Sequence, residues 1–174
     1  MTDKYYDWEI FRREMPVAER YAYFDHAAGA PMTRGAKEAI TRWLDQCVGS
    51  GDVHWPEWDE TRERLRATAA AMLGAGTDEI ALTWSTTAGI NFVAEGFPWR
   101  DGDNIVTLAD EYPSNVYPWL HLRDRGVETR RVPVDAGLPD IDRIAAACDS
   151  RTRIVSISWV GFATGYRFDL DRLP

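Results

Sequence analysis

The chain has 174 residues, a formal net charge of −8 at neutral pH and a pI near 4.9, with 45% hydrophobic and 28% charged residues. That length holds a domain with a real core, and the acidic balance excludes a sequence-independent nucleic-acid binder, which needs a basic face. No apolar run reaches the length of a membrane span, and "MTDKYYDWEIFRREMP" contains no signal-peptide apolar region, so a cytoplasmic protein without a membrane partner is expected.

Residues 1–20 read as a partly helical lead-in arm. "YAYFD" (21–25) is a short strand or extended segment, ended by the turn-forming "HAAGAP" with its Pro31. Thr33 is placed to cap the helix "RGAKEAITRWLDQCVGS", in which Ile40, Trp43, Leu44 and Cys47 recur at helical spacing. A second helix starts near Pro56, where proline suits a first turn, and stops at Gly74. Residues 1–50 are thus expected as an arm and first helix, and residues 51–174 as the opening part of a larger domain.

After Gly74 strands and helices alternate. "EIALT" (79–83), "NIVTLA" (104–109), "VETRRVPV" (127–134) and "RIVSISWV" (153–160) are the strand candidates. Between them lie the helical segments "INFVAEGF", "NVYPWLHLRDRG" and "DIDRIAAACD". This pattern predicts an α/β fold, a mostly parallel sheet between helical layers. Cys47 and Cys148 are expected as free thiols, and His26, His54 and His121 have no metal-ligand spacing.

In such sheets ligands bind beyond the carboxyl ends of the strands. Those ends carry "TWSTTAG", "ADEYPSN" and "SWVGFATG". "STTAG" (85–89) opens a helix with three hydroxyls, which suits a phosphate, although plain capping needs one of them. Asp110 and Glu111 are adjacent and point apart on an extended chain, so they make no catalytic dyad. Tyr112 either stacks on a planar ligand or fills a core gap, and Ser114 is placed to cap the following helix.

Taken together these segments resemble the class V aminotransferase family, the fold-type I pyridoxal-phosphate enzymes that include cysteine desulfurases. "YFDHAAGAP" is similar to the family's "LDNAATTP", and "TWSTTAGINFVAEG" to its "TSGTTEAINLVA". "GDNIVTLADEYPSNVYPW" is similar to "GDEIVVTEMEHHSNLVPW", and "RIVSISWVGFATGYRFDL" to "KLVSISHVSNVTGTVLPV". The resemblance implies a three-layer αβα fold, pyridoxal 5′-phosphate as cofactor, an amino-acid-like substrate and a homodimer. It assigns the cofactor phosphate to Thr86 and Thr87, the ring face to Tyr112 (where many relatives carry His), and the substrate end to His26 and Ala27. Exchanging His for Tyr keeps the flat face and loses the imidazole's proton handling. That weakens the case for desulfurase-type chemistry and leaves transamination, epimerisation or lyase reactions.

Two departures accompany the resemblance. Gly161 and Phe162 stand where relatives place a polar residue that bonds the cofactor's ring oxygen. The family's Schiff-base lysine, and the aspartate that pairs with the pyridinium nitrogen, lie beyond the segment matched here. Of 20 basic residues only Lys4 and Lys37 are lysines, and both precede the phosphate-loop motif. No catalytic residue is therefore expected within the chain, which reads as an N-terminal portion truncated before the catalytic lysine, or else as a non-catalytic phosphate-ligand module. The family's sheet order, 3-2-4-5-6-7-1, would leave "EIALT" without a neighbouring strand, an aggregation hazard and a source of partial stability.

Overall fold

The computed structural model describes residues 8–169, and the chain divides into two compact units, Met1–Ala81 and Leu82–Pro174. Lys4 and the closing "LDRLP" lie outside the described residues.

The N-terminal unit is helical: α1 (Trp8–Arg13), a 3₁₀ turn (Pro16–Glu19), α2 (Arg34–Ser50) and α3 (Trp55–Leu73). Thr33 caps α2 as expected: its backbone is extended and its hydroxyl accepts from the Ala36 N–H at 3.1 Å. Pro56 sits in the first turn of α3, and Gly74, left-handed at φ 67°, closes it. Trp43 of α2 meets Trp58 of α3 edge to face, with ring centroids 6.1 Å apart, and Trp58 Nε1 donates to Gln46 Oε1 at 2.8 Å. Residues 21–25 form neither helix nor strand.

The C-terminal unit comprises α4 (Thr86–Gly96), β1 (Asn104–Leu108), α5 (Tyr117–Leu120), β2 (Glu128–Val132), α6 (Ile141–Ala147) and β3 (Thr152–Val155). Its sheet is parallel in the order β2-β1-β3. Alternation along β1 sends its apolar side chains to both faces. Val106 and Leu108 pack with Val132, Ile141, Ile144 and Phe168 on the α6 side. Ile105 packs with Ala94, Trp119, Leu122 and Val127 on the α4–α5 side. This is a helix–sheet–helix sandwich, and it puts the buried central strand directly behind "ADEYPSN".

Three sequence expectations need correction. "EIALT" forms no strand: Thr77–Glu79 is a 3₁₀ turn, and residues 80–83 have no ladder partner among the described residues. A strand exists through its inter-strand hydrogen bonds, and an apolar run alone does not supply them. The helix expected over "NVYPWLHLRDRG" is broken into α5 between two 3₁₀ turns, Pro113–Asn115 and His121–Arg125. The last sheet strand stops at Val155, short of the expected 160, because the chain beyond turns into a tight loop with Val160 bridged to Arg167.

The opposite, N-terminal end of the sheet carries its own polar tie. Register slips between Asn104 and Ile105, leaving Arg153 as the extra residue on β3, and its Nε donates to the buried Asp103 Oδ1 at 2.9 Å.

Candidate functional site

The site is built where β1, β3 and the start of α4 end within the C-terminal unit. Ser85 is the N-cap of α4: its hydroxyl accepts from the Ala88 N–H at 3.1 Å, and its carbonyl from the Gly89 N–H at 3.1 Å. Ordinary capping is thus met by one hydroxyl. The N–H groups of Thr86 and Thr87 open the helix with no intrahelical acceptor, and the end of the helix carries a partial positive charge. Thr86 is exposed and Thr87 half-buried.

Ser114 does not cap a helix. It sits inside the 3₁₀ turn Pro113–Asn115, and Thr87 Oγ1 donates to its Oγ at 2.8 Å. That bond joins the start of α4 to the turn holding Tyr112, two residues earlier. Tyr112 is 44% exposed, so it fills no core gap. Its ring meets Phe162 edge to face at 5.2 Å between centroids. Phe162 in turn projects from a loop closed by Gly161 N–H to Tyr166 O at 2.8 Å and Phe168 N–H to Trp159 O at 2.9 Å. Thr164 of this loop is seated against Gly137, which is left-handed at φ 75° and has no room for a side-chain carbon on that face.

The residues flanking Tyr112 are fixed by side chains that sequence reasoning left without a partner. Glu111 is buried; its Oε1 accepts from the Ser158 N–H at 2.5 Å and its Oε2 from the Ser158 hydroxyl at 2.7 Å. Asn115 is buried as well, and its Oδ1 accepts from Ser156 Oγ at 2.6 Å and Trp119 Nε1 at 3.0 Å. Asp110 stays exposed, so the adjacent acids do point apart. A small cleft beside them is lined by Leu108, Asp110, Glu111, Ser158, Phe162 and Thr164.

Of the residues singled out in sequence, the fold brings Thr87, Ser114, Tyr112 and Phe162 into one connected group. His26 and Ala27 lie in an exposed turn of the N-terminal unit, where the His26 ring contacts Tyr23 edge to face at 5.1 Å. Tyr23 Oη donates to the Gly29 carbonyl at 2.7 Å and closes that turn. Cys47 and Cys148 are free thiols. Among the described residues no group of three His, Cys, Asp or Glu is placed to hold a metal, and no helix is long and apolar enough to cross a membrane.

The family model for aminotransferase class-V matches residues 22–174. The chain belongs to the class-V aminotransferase family. Within that family it is similar to a probable cysteine desulfurase of Methanothermobacter thermautotrophicus, 34% identical over 174 aligned positions that cover 95% of this chain and 42% of the relative. Its structure is similar to the cysteine desulfurase CsdA of Escherichia coli in an S-sulfonic acid form, with a TM-score of 0.79 and 26% identity over 96% of this chain and 45% of that one. A C-DES variant with glycine covalently linked to its PLP cofactor shares the fold at a TM-score of 0.83 and 24% identity, over 93% of this chain and 44% of its own. The chain therefore spans less than half the length of these class-V relatives. The order β2-β1-β3 is the 3-2-4 portion of the sheet that the resemblance leads one to expect.

Proposed function

We propose that this segment forms the phosphate and ring-face part of a pyridoxal 5′-phosphate site, in a protein acting on an amino-acid-type substrate. The observation that carries the reading is the 2.8 Å hydrogen bond from Thr87 to Ser114, which couples a helix N-terminus to the turn presenting Tyr112. The donor set fits a phosphate ester: Ser85 consumes only the Ala88 N–H, so the Thr86 and Thr87 N–H groups and the exposed Thr86 hydroxyl remain to meet an anion. The half-exposed ring of Tyr112 fits an aromatic heterocycle.

When bound, the cofactor supplies an electron sink for bond breaking at an amino acid's α- or β-carbon. The chain's own contribution is binding and orientation. Thr86 and Thr87 hold the phosphate, Tyr112 covers one face of the ring, and Phe162 supports Tyr112 from its edge. Tyr112 offers a flat surface without an imidazole that titrates near neutral pH, which favours transamination, lyase or epimerase chemistry over desulfuration. His26 and Ala27 enter the reading at the substrate end on sequence resemblance, as does a homodimer.

Neither Lys4 nor Lys37 falls within the motifs that supply the phosphate and ring contacts. The reading therefore takes the cofactor-linking lysine from sequence outside these 174 residues. The same lysine inventory favours, for the segment by itself, a second reading as a non-catalytic phosphate-ligand module. Borohydride treatment of protein incubated with pyridoxal 5′-phosphate, followed by peptide mapping, is the test. Reversible binding with no fixed label on residues 1–174 is expected. A stoichiometric label on Lys4 or Lys37 overturns the lysine assignment, and absence of any binding overturns the cofactor reading.

A further inference from the structure

We infer that Glu111 is a positioning residue for the ring-face wall of the site, acting through Ser158; this rests on the cofactor reading above. A buried carboxylate needs partners for both oxygens. Glu111 spends both on one residue 47 positions later, Ser158, at 2.5 Å to the backbone nitrogen and 2.7 Å to the hydroxyl. Ser158 lies just beyond β3, four residues before Phe162, and Glu111 immediately precedes Tyr112. The two bonds thus lock together the turns that bear the two rings in edge contact at 5.2 Å. Asn115, bonded to Ser156 at 2.6 Å, makes the same cross-connection on the far side of Tyr112. Tyr112 itself is held by its neighbours: its ring is exposed, and the backbone on both sides is pinned to the segment after β3. With both carboxylate oxygens taken by Ser158, the task of Glu111 is to keep the Tyr112–Phe162 wall in place before a ring arrives.

The test separates the wall from the phosphate cradle by comparing two probes, pyridoxine 5′-phosphate, which has no aldehyde to react, and inorganic phosphate. Glu111→Ala should weaken pyridoxine 5′-phosphate about tenfold while leaving inorganic phosphate within about twofold. Glu111→Gln can accept from the Ser158 N–H and donate to its hydroxyl, and should recover most of the loss. Ser158→Ala removes the hydroxyl bond and keeps the backbone one, a milder change that serves if Glu111→Ala does not fold, and should weaken pyridoxine 5′-phosphate about threefold. Equal losses for both probes, or no loss in Ser158→Ala and Glu111→Ala alike, would overturn the positioning role. Wild-type protein that binds neither probe overturns the cofactor reading itself, a result distinct from variants that bind as wild type does.

Discussion

The carboxamide of Asn104, the first residue of the central strand, donates to Asp149 Oδ1 at 2.9 Å. Asp149 also accepts from the Arg151 N–H at 2.9 Å and pairs with Arg130 at 2.8 Å, so this turn gathers both neighbouring strands onto the start of β1.

That geometry sets a pH dependence. The Asn104 amide, then the Arg151 N–H and the Arg130 guanidinium, hold the Asp149 carboxyl well below its ordinary range, against the effect of burial. Asp103 is lowered in the same direction, first by the Arg100 N–H and then by Arg153. A carboxyl depressed in the folded state contributes stability above its unfolded value, lost as pH falls through that value toward the folded one. Denaturant midpoints should therefore fall from about pH 5 downward. Asp149→Asn should flatten that decline without abolishing it, since Asp103 remains. Equal slopes for wild type and variant would refute the assignment.

Thr87→Val keeps the side-chain shape and removes the donor to Ser114. Phosphate-ester binding should weaken about fivefold, and the double change with Ser114→Ala should cost less than the sum of the two. Titration of pyridoxine 5′-phosphate into the four proteins of the cycle measures the coupling; strict additivity would show that the bond does not join the two halves of the site.

On the α6 side of the sheet, Ile144 is fully buried against Val106, Leu108 and Val132. Ile144→Ala should destabilise the C-terminal unit by about 2–5 kcal/mol, and Ile144→Val by about 1 kcal/mol. Denaturant unfolding followed at a C-terminal-unit probe reads both.

Gly126 ends the turn before β2 at φ 75°, and a side-chain carbon there would run into the Asp101 carboxylate. Gly165, at φ 70°, has open space around it. Alanine at Gly165 should cost about 1 kcal/mol for the left-handed backbone alone, and alanine at Gly126 measurably more. Matching melting shifts would mean that the Asp101 side chain moves aside without cost.

Much of this was legible in the sequence because it is local. The runs around Asn104–Leu108 and Glu128–Val132, the Thr33 and Gly74 helix ends and the paired hydroxyl residues Thr86 and Thr87 all announce themselves within a few residues. The failures share one cause. Ser114 read as a cap because sequence neighbours are the default partners of a serine, yet its partner is Thr87. Glu111 had no local signature at all, since Ser158 reaches it only once β1 and β3 lie side by side. "EIALT" has the composition of a strand, and the family's sheet order already leaves it without a neighbour; what composition could not show is that without that neighbour it is no strand at all.

The cross-ties at both ends of β1 have a consequence for how the unit opens. At one end Asn104 holds Asp149 and Thr152, and beyond the other Glu111 and Asn115 hold Ser158 and Ser156. β2 and β3 are both edge strands, but β3 cannot peel away from β1 without breaking both sets. In deuterium exchange the amides of Ile105–Leu108 should be the slowest in the unit, released only when all of it unfolds, while those of β2 exchange through fraying. The strand that carries Tyr112 at its tip is thus the last element to let water in.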